Sequence, residues 1–262
     1  MTRPVYTVGL ADPPLSALAP GDVCRVSGNV ARHAVVSRRL RVGEQLDLVD
    51  GAGLRVSVDV IEIDGPTYRA RATAVVREPA PSPRLVLVQA LAKNKRDQQA
   101  VESACEIGVD AIYPWTARRC IVTWKKADAV KSQRWFSTVL SACEQSRRAR
   151  RPDLEALVST GDLVAAVRAA RERGEVVFVA HEVATQSLPS ILAEAEAAPG
   201  YWVIVGPEGG ITEDEITTLC EAGAQPIRMG PTVMRTSTAG VAALSVIAAH
   251  VGRWDTAEGT HE

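Results

Sequence analysis

Alternation of apolar and polar positions marks the first third of the chain; after residue 84 it gives way to continuous apolar runs between amphipathic stretches. Residues 22–27 and 45–50 are short β candidates, and 54–63 alternate with the period of a half-buried strand. Asp64-Gly65-Pro66 predicts a turn before another strand at 68–76. Between the first two strands, residues 29–40 fit a short helix carrying Arg32, His33, Arg38 and Arg39. Residues 1–77 thus read as a small β domain. Glu78-Pro-Ala-Pro-Ser-Pro83 follows, and its prolines require extended backbone, so 78–83 reads as a linker.

Apolar strand candidates then fall at 85–91, 111–114, 176–180, 201–205 and 225–229. Helical patterns occupy 96–107, 130–147, 161–173, 188–198, 212–222 and 236–251. Near-continuous apolar strands separated by amphipathic helices predict an α/β domain over 84–262, with a parallel sheet covered on both faces. The 262 residues suffice for one or two domains with a sizeable core.

Thirty Lys+Arg against thirty-one Asp+Glu give a net charge of −1, which by itself argues against a nucleic-acid partner. Position changes that picture. Residues 118–151 hold ten cations and two acids, whereas 152–223 hold three cations and thirteen acids. The run Arg147-Arg148-Ala-Arg150-Arg151 is dense enough to face phosphates, although cations also suit a helix C-terminus. Arg118 and Arg119 open the same basic block.

The cysteines Cys24, Cys105, Cys120, Cys143 and Cys220 are odd in number and widely spaced, which predicts small apolar core residues rather than disulfides or zinc ligands. No run of 18 apolar residues predicts a membrane span, and the N-terminal MTRPVYTVGLADPP lacks an apolar run of signal-peptide length. The expected setting is the reducing cytoplasm, with no membrane partner and no metal.

The sharpest local signal is Val203-Ile-Val-Gly-Pro-Glu-Gly-Gly-Ile-Thr212: a strand, a glycine-rich turn and a helix start where Thr212 and Glu215 fit a capping box. Ligands of parallel α/β sheets bind at such turns. The turn is neither GxGxxG nor a P-loop, and Glu208 disfavours a phosphate, so a nucleoside of little anionic charge fits better. A second turn, Arg228-Met-Gly-Pro-Thr-Val-Met-Arg235, leads into a helix of small side chains that Thr236 or Ser237 could cap.

Gly206-Pro-Glu-Gly-Gly210, Met229-Gly-Pro-Thr-Val-Met-Arg-Thr236 and Thr238-Ala239 together resemble the RsmE-type 16S ribosomal RNA uracil-N3 methyltransferases of the SPOUT (trefoil-knot) superfamily. Lys93-Asn-Lys95-Arg96, Glu106-Ile-Gly-Val109, Cys143-Glu-Gln-Ser146 with Arg148 and Pro152, and His33, Arg39 and Val42-Gly43 extend the resemblance over nearly the whole chain. It implies a PUA-like β-barrel domain for RNA docking and a C-terminal α/β domain with a deep trefoil knot. It also implies a homodimer, S-adenosyl-L-methionine as cofactor, and 16S ribosomal RNA of the small subunit as partner. Carried over by position, the cofactor residues are His181, Val205, Gly206, Glu208, Gly209, Gly210, Met229, Gly230, Met234, Thr236, Thr238 and Ala239. The RNA-facing set is Arg32, His33, Arg38, Arg39, Lys93, Lys95, Arg96, Arg118, Arg119, Arg147, Arg148 and Arg150.

Methylation at uracil N3 requires loss of the N3 proton, and a cation near O2 or O4 would stabilise the resulting charge. Arg235 is the catalytic candidate, with a salt bridge or cap contact as its competing role; Glu208 suits helix-end hydrogen bonding better than a base. The chain departs from the family at Ser237, where a glutamate is common, at Ser103, where lysine is common, and at Ser37-Arg38. The residues also allow a ribose 2′-O methyltransferase of the same fold, a non-catalytic RNA-binding or ribosome-assembly protein, and a doubly wound small-molecule enzyme.

Overall fold

The computed structural model describes residues 3–124 and 129–255. Two cations of the basic block, Lys125 and Lys126, and the outermost residues of both expected regions lie outside that description. The chain divides into two compact units, Met1–Ala80 with Leu140–Arg151, and Pro81–Val139 with Pro152–Glu262.

In the first unit the chain forms β1 (Val5–Thr7), β2 (Ala11–Asp12), β3 (Val23–Val26), α1 (Gly28–Arg32), β4 (Gln45–Val49), β5 (Leu54–Asp64) and β6 (Thr67–Arg77). They make one mixed sheet in the order β1-β4-β5-β6-β3-β2, in which only the β1–β4 pair is parallel. Alternating Leu54, Val56, Val58 and Val60 are buried with Leu46, Leu48, Tyr68 and Ala70, each buried Val or Leu contributing about 1.5–3 kcal/mol. Register shifts at Ser57/Val58 and Val60/Glu62 let the long β5–β6 hairpin curl around this core. The helix expected at 29–40 forms as α1 and continues as a π-helical turn, His33–Ser37, before Arg39 takes a left-handed conformation (φ 56) and ends it. β1 and β2 carry no periodic signal of their own; two or three residues become strands only because β4 and β3 offer a paired edge.

The second unit contains β7 (Arg84–Ala90), α2 (Arg96–Ile107), β8 (Ala111–Thr116), α3 (Ala129–Gln145), β9 (Asp153–Leu154), β10 (Val158–Ser159), α4 (Thr160–Glu172), β11 (Val176–Ala180), α5 (Leu188–Glu194), β12 (Gly200–Val205), α6 (Glu213–Glu221), β13 (Gln225–Ile227) and α7 (Thr236–His250), the end of α3 counting with the first unit. Its sheet is parallel throughout, in the order β10-β8-β7-β12-β11-β13, with β9 also on β8. α2 and α7 pack together, α7 lying on β7 and β12, while α4 and α6 supply apolar side chains to another core cluster of the sheet. Gly240 lets α7 come close, since a Cβ there would lie 2.6 Å from Leu87 Cδ1.

Two elements are shorter than the sequence suggests. α5 stops at Glu194 rather than 198: Ala195 is already extended, and its N–H turns back to Leu192 O. β13 ends at Ile227 rather than 229, as Arg228 leaves the ladder to pair with Gln186 and Leu188. Among the described residues no helix is long and apolar enough to cross a membrane.

Candidate functional site

The strand order decides where the ligand-compatible turns meet. β12, β11 and β13 are neighbours and parallel, so the loops that leave their C-terminal ends emerge side by side. Those loops, 181–183, 206–211 and 228–235, surround a cavity of about 510 Å3, within the size range of small-molecule sites. His181 N donates to Ile227 O (3.0 Å) and Arg228 N to Gln186 O (2.8 Å), which fastens the first loop to the third.

The glycine-rich turn closes with Gly210 N donating to Pro207 O (2.9 Å) and Gly210 in the left-handed region (φ +75). A Cβ on Gly206 would sit 2.5 Å from Ile211 Cγ1, so only glycine permits the bend onto that buried side chain. Gly209 lies against Arg119, whose Cβ and carbonyl would be 3.2 and 3.3 Å from an added Cβ. Arg119 also donates from its guanidinium to Gly209 O (3.1 Å). The close approach at Gly209 is therefore to this arginine. Beyond the turn, Thr212 and Glu215 form the expected capping box of α6.

Glu215 does more than cap. It is 3% exposed and accepts from Arg118 N (2.8 Å), Thr160 Oγ1 (2.9 Å), and Thr212 N and Oγ1 (3.1 and 2.8 Å). Burial pushes its carboxyl up, but these hydrogen bonds outweigh it and hold the group below the usual glutamate range. One side chain thus joins α6, the end of β8 and the start of α4.

A buried relay links the glycine turn to α7. Gln89 Nε2, on β7, donates to Thr236 Oγ1 (2.9 Å), and that hydroxyl donates to Gly206 O (2.7 Å). This fixes the Gln89 amide orientation and leaves its Oε1 buried without a hydrogen-bond partner. It also corrects the expected cap: the N-cap of α7 is Arg235, without a side-chain cap bond, because the Thr236 hydroxyl turns back to the neighbouring loop. Thr236→Val should remove an acceptor and a donor at once, lowering stability by about 2–3 kcal/mol. Urea unfolding checks this; Thr236→Ser keeps the hydroxyl and should retain most of the wild-type stability.

The cavity wall holds His181, Val205, Gly206, Glu208, Gly209, Gly210, Met229, Gly230, Met234, Thr236 and Ala239 from the expected cofactor set, together with Arg235. Thr238 is not on the wall; it is exposed, and its hydroxyl donates to Arg235 O (3.1 Å). Arg235 is exposed, and its guanidinium makes no ion pair among the described residues. Ser237 is 5% exposed, a place where an uncharged side chain needs no counter-ion. The loop after β11 also supplies Glu182 and Val183, which belong to no motif visible in sequence, and the second turn motif adds Val233. Glu208 bonds a helix start, that of α2: Oε1 accepts from Lys93 N (3.1 Å) and pairs with Arg96 (3.4 Å).

The twelve expected RNA-facing residues do not form one set. Arg96 and Arg119 line the cavity itself, Arg118 pairs with Asp214 (2.8 Å), and Lys93 and Lys95 are exposed. In the first unit Arg32, His33, Arg38, Arg39 and Arg147 are exposed and Arg148 is half-buried. Arg150 is committed to the start of the proline-rich linker, donating to Glu78 O (2.9 Å) and Pro79 O (3.0 Å). Cys24, Cys105 and Cys143 are buried, and burial is the main cause that pushes the Cys120 thiol up to about 11, so these cysteines pack rather than react.

Known proteins agree with this geometry. Residues 78–248 match the RNA methyltransferase domain family. The chain is 43% identical over 237 residues to ribosomal RNA small subunit methyltransferase E of Mycobacterium bovis, covering 90% of this chain and 89% of that protein. The fold superposes on ribosomal RNA small subunit methyltransferase E from Neisseria gonorrhoeae bound to S-adenosyl methionine, with a TM-score of 0.80, 26% identity and coverage of 95% and 98%. A Legionella pneumophila methyltransferase in complex with the same cofactor gives 0.81, 27%, 95% and 98%. The chain belongs to the ribosomal RNA small subunit methyltransferase E family of RNA methyltransferases.

Proposed function

We propose that this protein uses S-adenosyl-L-methionine to methylate N3 of a specific uridine in 16S ribosomal RNA of the small subunit. The observation that carries the reading is the cavity where the loops after β11, β12 and β13 converge, because its wall is made by the two motifs of the family resemblance. The residues fit the cofactor. Val205, Ile211, Met229 and Ala239 offer apolar surface for a base, and Glu182, Glu208 and Glu213 offer carboxylates suited to a cationic ligand. A Cβ on Gly230 would meet no protein atom within 4 Å, leaving room beside its backbone. A homodimer belongs to the same proposal, supported by the exposure of Val183 (70%) and Val233 (79%) on the cavity rim. So do a PUA-like domain at 1–77, the linker 78–83, a knotted methyltransferase domain at 84–262 and a cytoplasmic setting.

When bound, S-adenosylmethionine supplies an electrophilic methyl group. Uracil N3 would take that methyl group once its proton has passed to solvent. The target uridine must be unpaired for N3 to be reached. Arg235, on the rim and in no ion pair among the described residues, would stabilise the negative charge that develops on the uracil oxygens. Arg119 would hold the Gly209 carbonyl in place, and Glu208 would keep the 93–96 turn against the glycine turn.

The test is methylation of small ribosomal subunits with labelled cofactor, followed by digestion and mass spectrometry of nucleosides. Label in 3-methyluridine is expected; label on ribose 2′-oxygen, or none, overturns the reading. Arg235→Ala should lower turnover about 100-fold, while cofactor affinity by calorimetry stays near the wild-type value.

A further inference from the structure

Beside the cavity, and separated from it by the first turn of α2, lies an open groove of about 790 Å3 between α2 and α3. Lys95 and Gln98 border it on one side, and Gln133, Arg134 and Ser137 on the other; among the described residues no carboxylate lines it. Neither Lys95 nor Arg134 forms an ion pair among the described residues, although most cations around the cavity are engaged: Arg96 with Glu208, Arg118 with Asp214, Arg119 with Gly209 O.

The backbone explains how adjacent residues serve two recesses. Asn94 and Lys95 both adopt left-handed conformations (φ 55 and 60), costly for non-glycine residues. The chain reverses there, so that Lys95 lines the groove while the next residue, Arg96, lines the cavity. Glu208 secures this reversal by accepting from Lys93 N (3.1 Å) and pairing with Arg96. The groove is thus one residue away from the proposed site of methyl transfer.

We infer that this groove is the track for the single-stranded RNA flanking the target uridine, with Lys95 and Arg134 facing successive phosphates and Gln98 and Gln133 offering amide hydrogen bonds. The inference rests on the proposed RNA methylation. A base that enters the cavity must be unpaired, and its neighbours then pass over the 93–96 turn as a flexible strand of closely spaced negative charges. A groove that, among the described residues, has two cations outside any ion pair, amide donors and no acid suits such a strand.

The experiment is a salt series of binding to small ribosomal subunits by the full chain and by the Lys95→Gln/Arg134→Gln double variant, with calorimetry for S-adenosylmethionine and light scattering for assembly state. Loss of two single-strand phosphate contacts should weaken binding about tenfold and make the log–log salt slope shallower by about 1.4. Cofactor affinity and molecular mass should not change. Unaltered RNA affinity and slope overturn the track. A change in mass overturns it too, identifying the groove as a contact between copies. Absence of RNA binding by the unsubstituted chain overturns instead the reading on which the groove depends.

Discussion

Gly206→Val is expected to lower S-adenosylmethionine affinity at least about 100-fold while the protein remains folded. The residue follows the last position of β12, and an added Cβ would lie 2.5 Å from Ile211 Cγ1, closer than real carbons approach. Ile211 is 5% exposed and packed in the core of the second unit, so it has little room to yield. The 206–210 turn must shift instead, and with it the backbone that lines the cavity and the carbonyl held by Thr236. Overpacking of this kind costs about 1–3 kcal/mol, and about 2.7 kcal/mol corresponds to the affinity loss. Calorimetric titration beside a thermal melt checks it. A folded variant that still binds with nearly wild-type affinity would show that the ligand does not rest against this turn. Gly206→Ala should fall between the two.

Glu215→Ala should be the most destabilising single change at the sheet edge, with a loss of about 3–5 kcal/mol in urea unfolding at neutral pH. The carboxylate leaves behind Arg118 N, Thr160 Oγ1 and both Thr212 donors, and α6 loses half of its capping box. The effect has a defined pH dependence. Because the folded-state value lies below the ordinary glutamate value of 4.5, the group's stabilisation is fully present above that value and disappears as pH falls through the lower, folded-state one. The gap between wild type and Glu215→Ala should therefore narrow in acid. A gap that stays constant down to the acid-unfolding range would show that the buried carboxylate is not held ionised by its donors.

Neither consequence could be read from spacing. The sequence pairs Thr212 with Glu215 as a local cap, and that pair forms. Arg118 N and Thr160 reach the same carboxylate from 97 and 55 residues away, through a parallel sheet whose strand order no local pattern encodes. Glu208 shows the same limit. Helix-end bonding was the expected role, but the helix concerned is α2, brought in from 115 residues away. Gly209 is on the cavity wall and also packs against Arg119, 90 residues away. Arg150 read as part of a phosphate-facing run, whereas its guanidinium spans two linker carbonyls. A charge count along the chain cannot distinguish a solvated cation from one already paired.

What the sequence determined by itself was the set of elements and the two turns. Period-2 alternation and apolar runs depend on neighbours a few residues apart, so β3 to β8, β11, β12 and the long helices follow from local hydrophobic pattern. The −1 net charge, resolved into a basic and an acidic block, also belongs to the sequence alone. Tertiary structure decided that the loops after β11, β12 and β13 share one cavity, that Lys95 and Arg96 serve separate recesses, and that Arg96 and Arg118 are held in ion pairs. The physical reason is that a parallel sheet joins strands through long crossovers. The neighbours that define a site are then set by strand order and packing, and most lie many tens of residues apart.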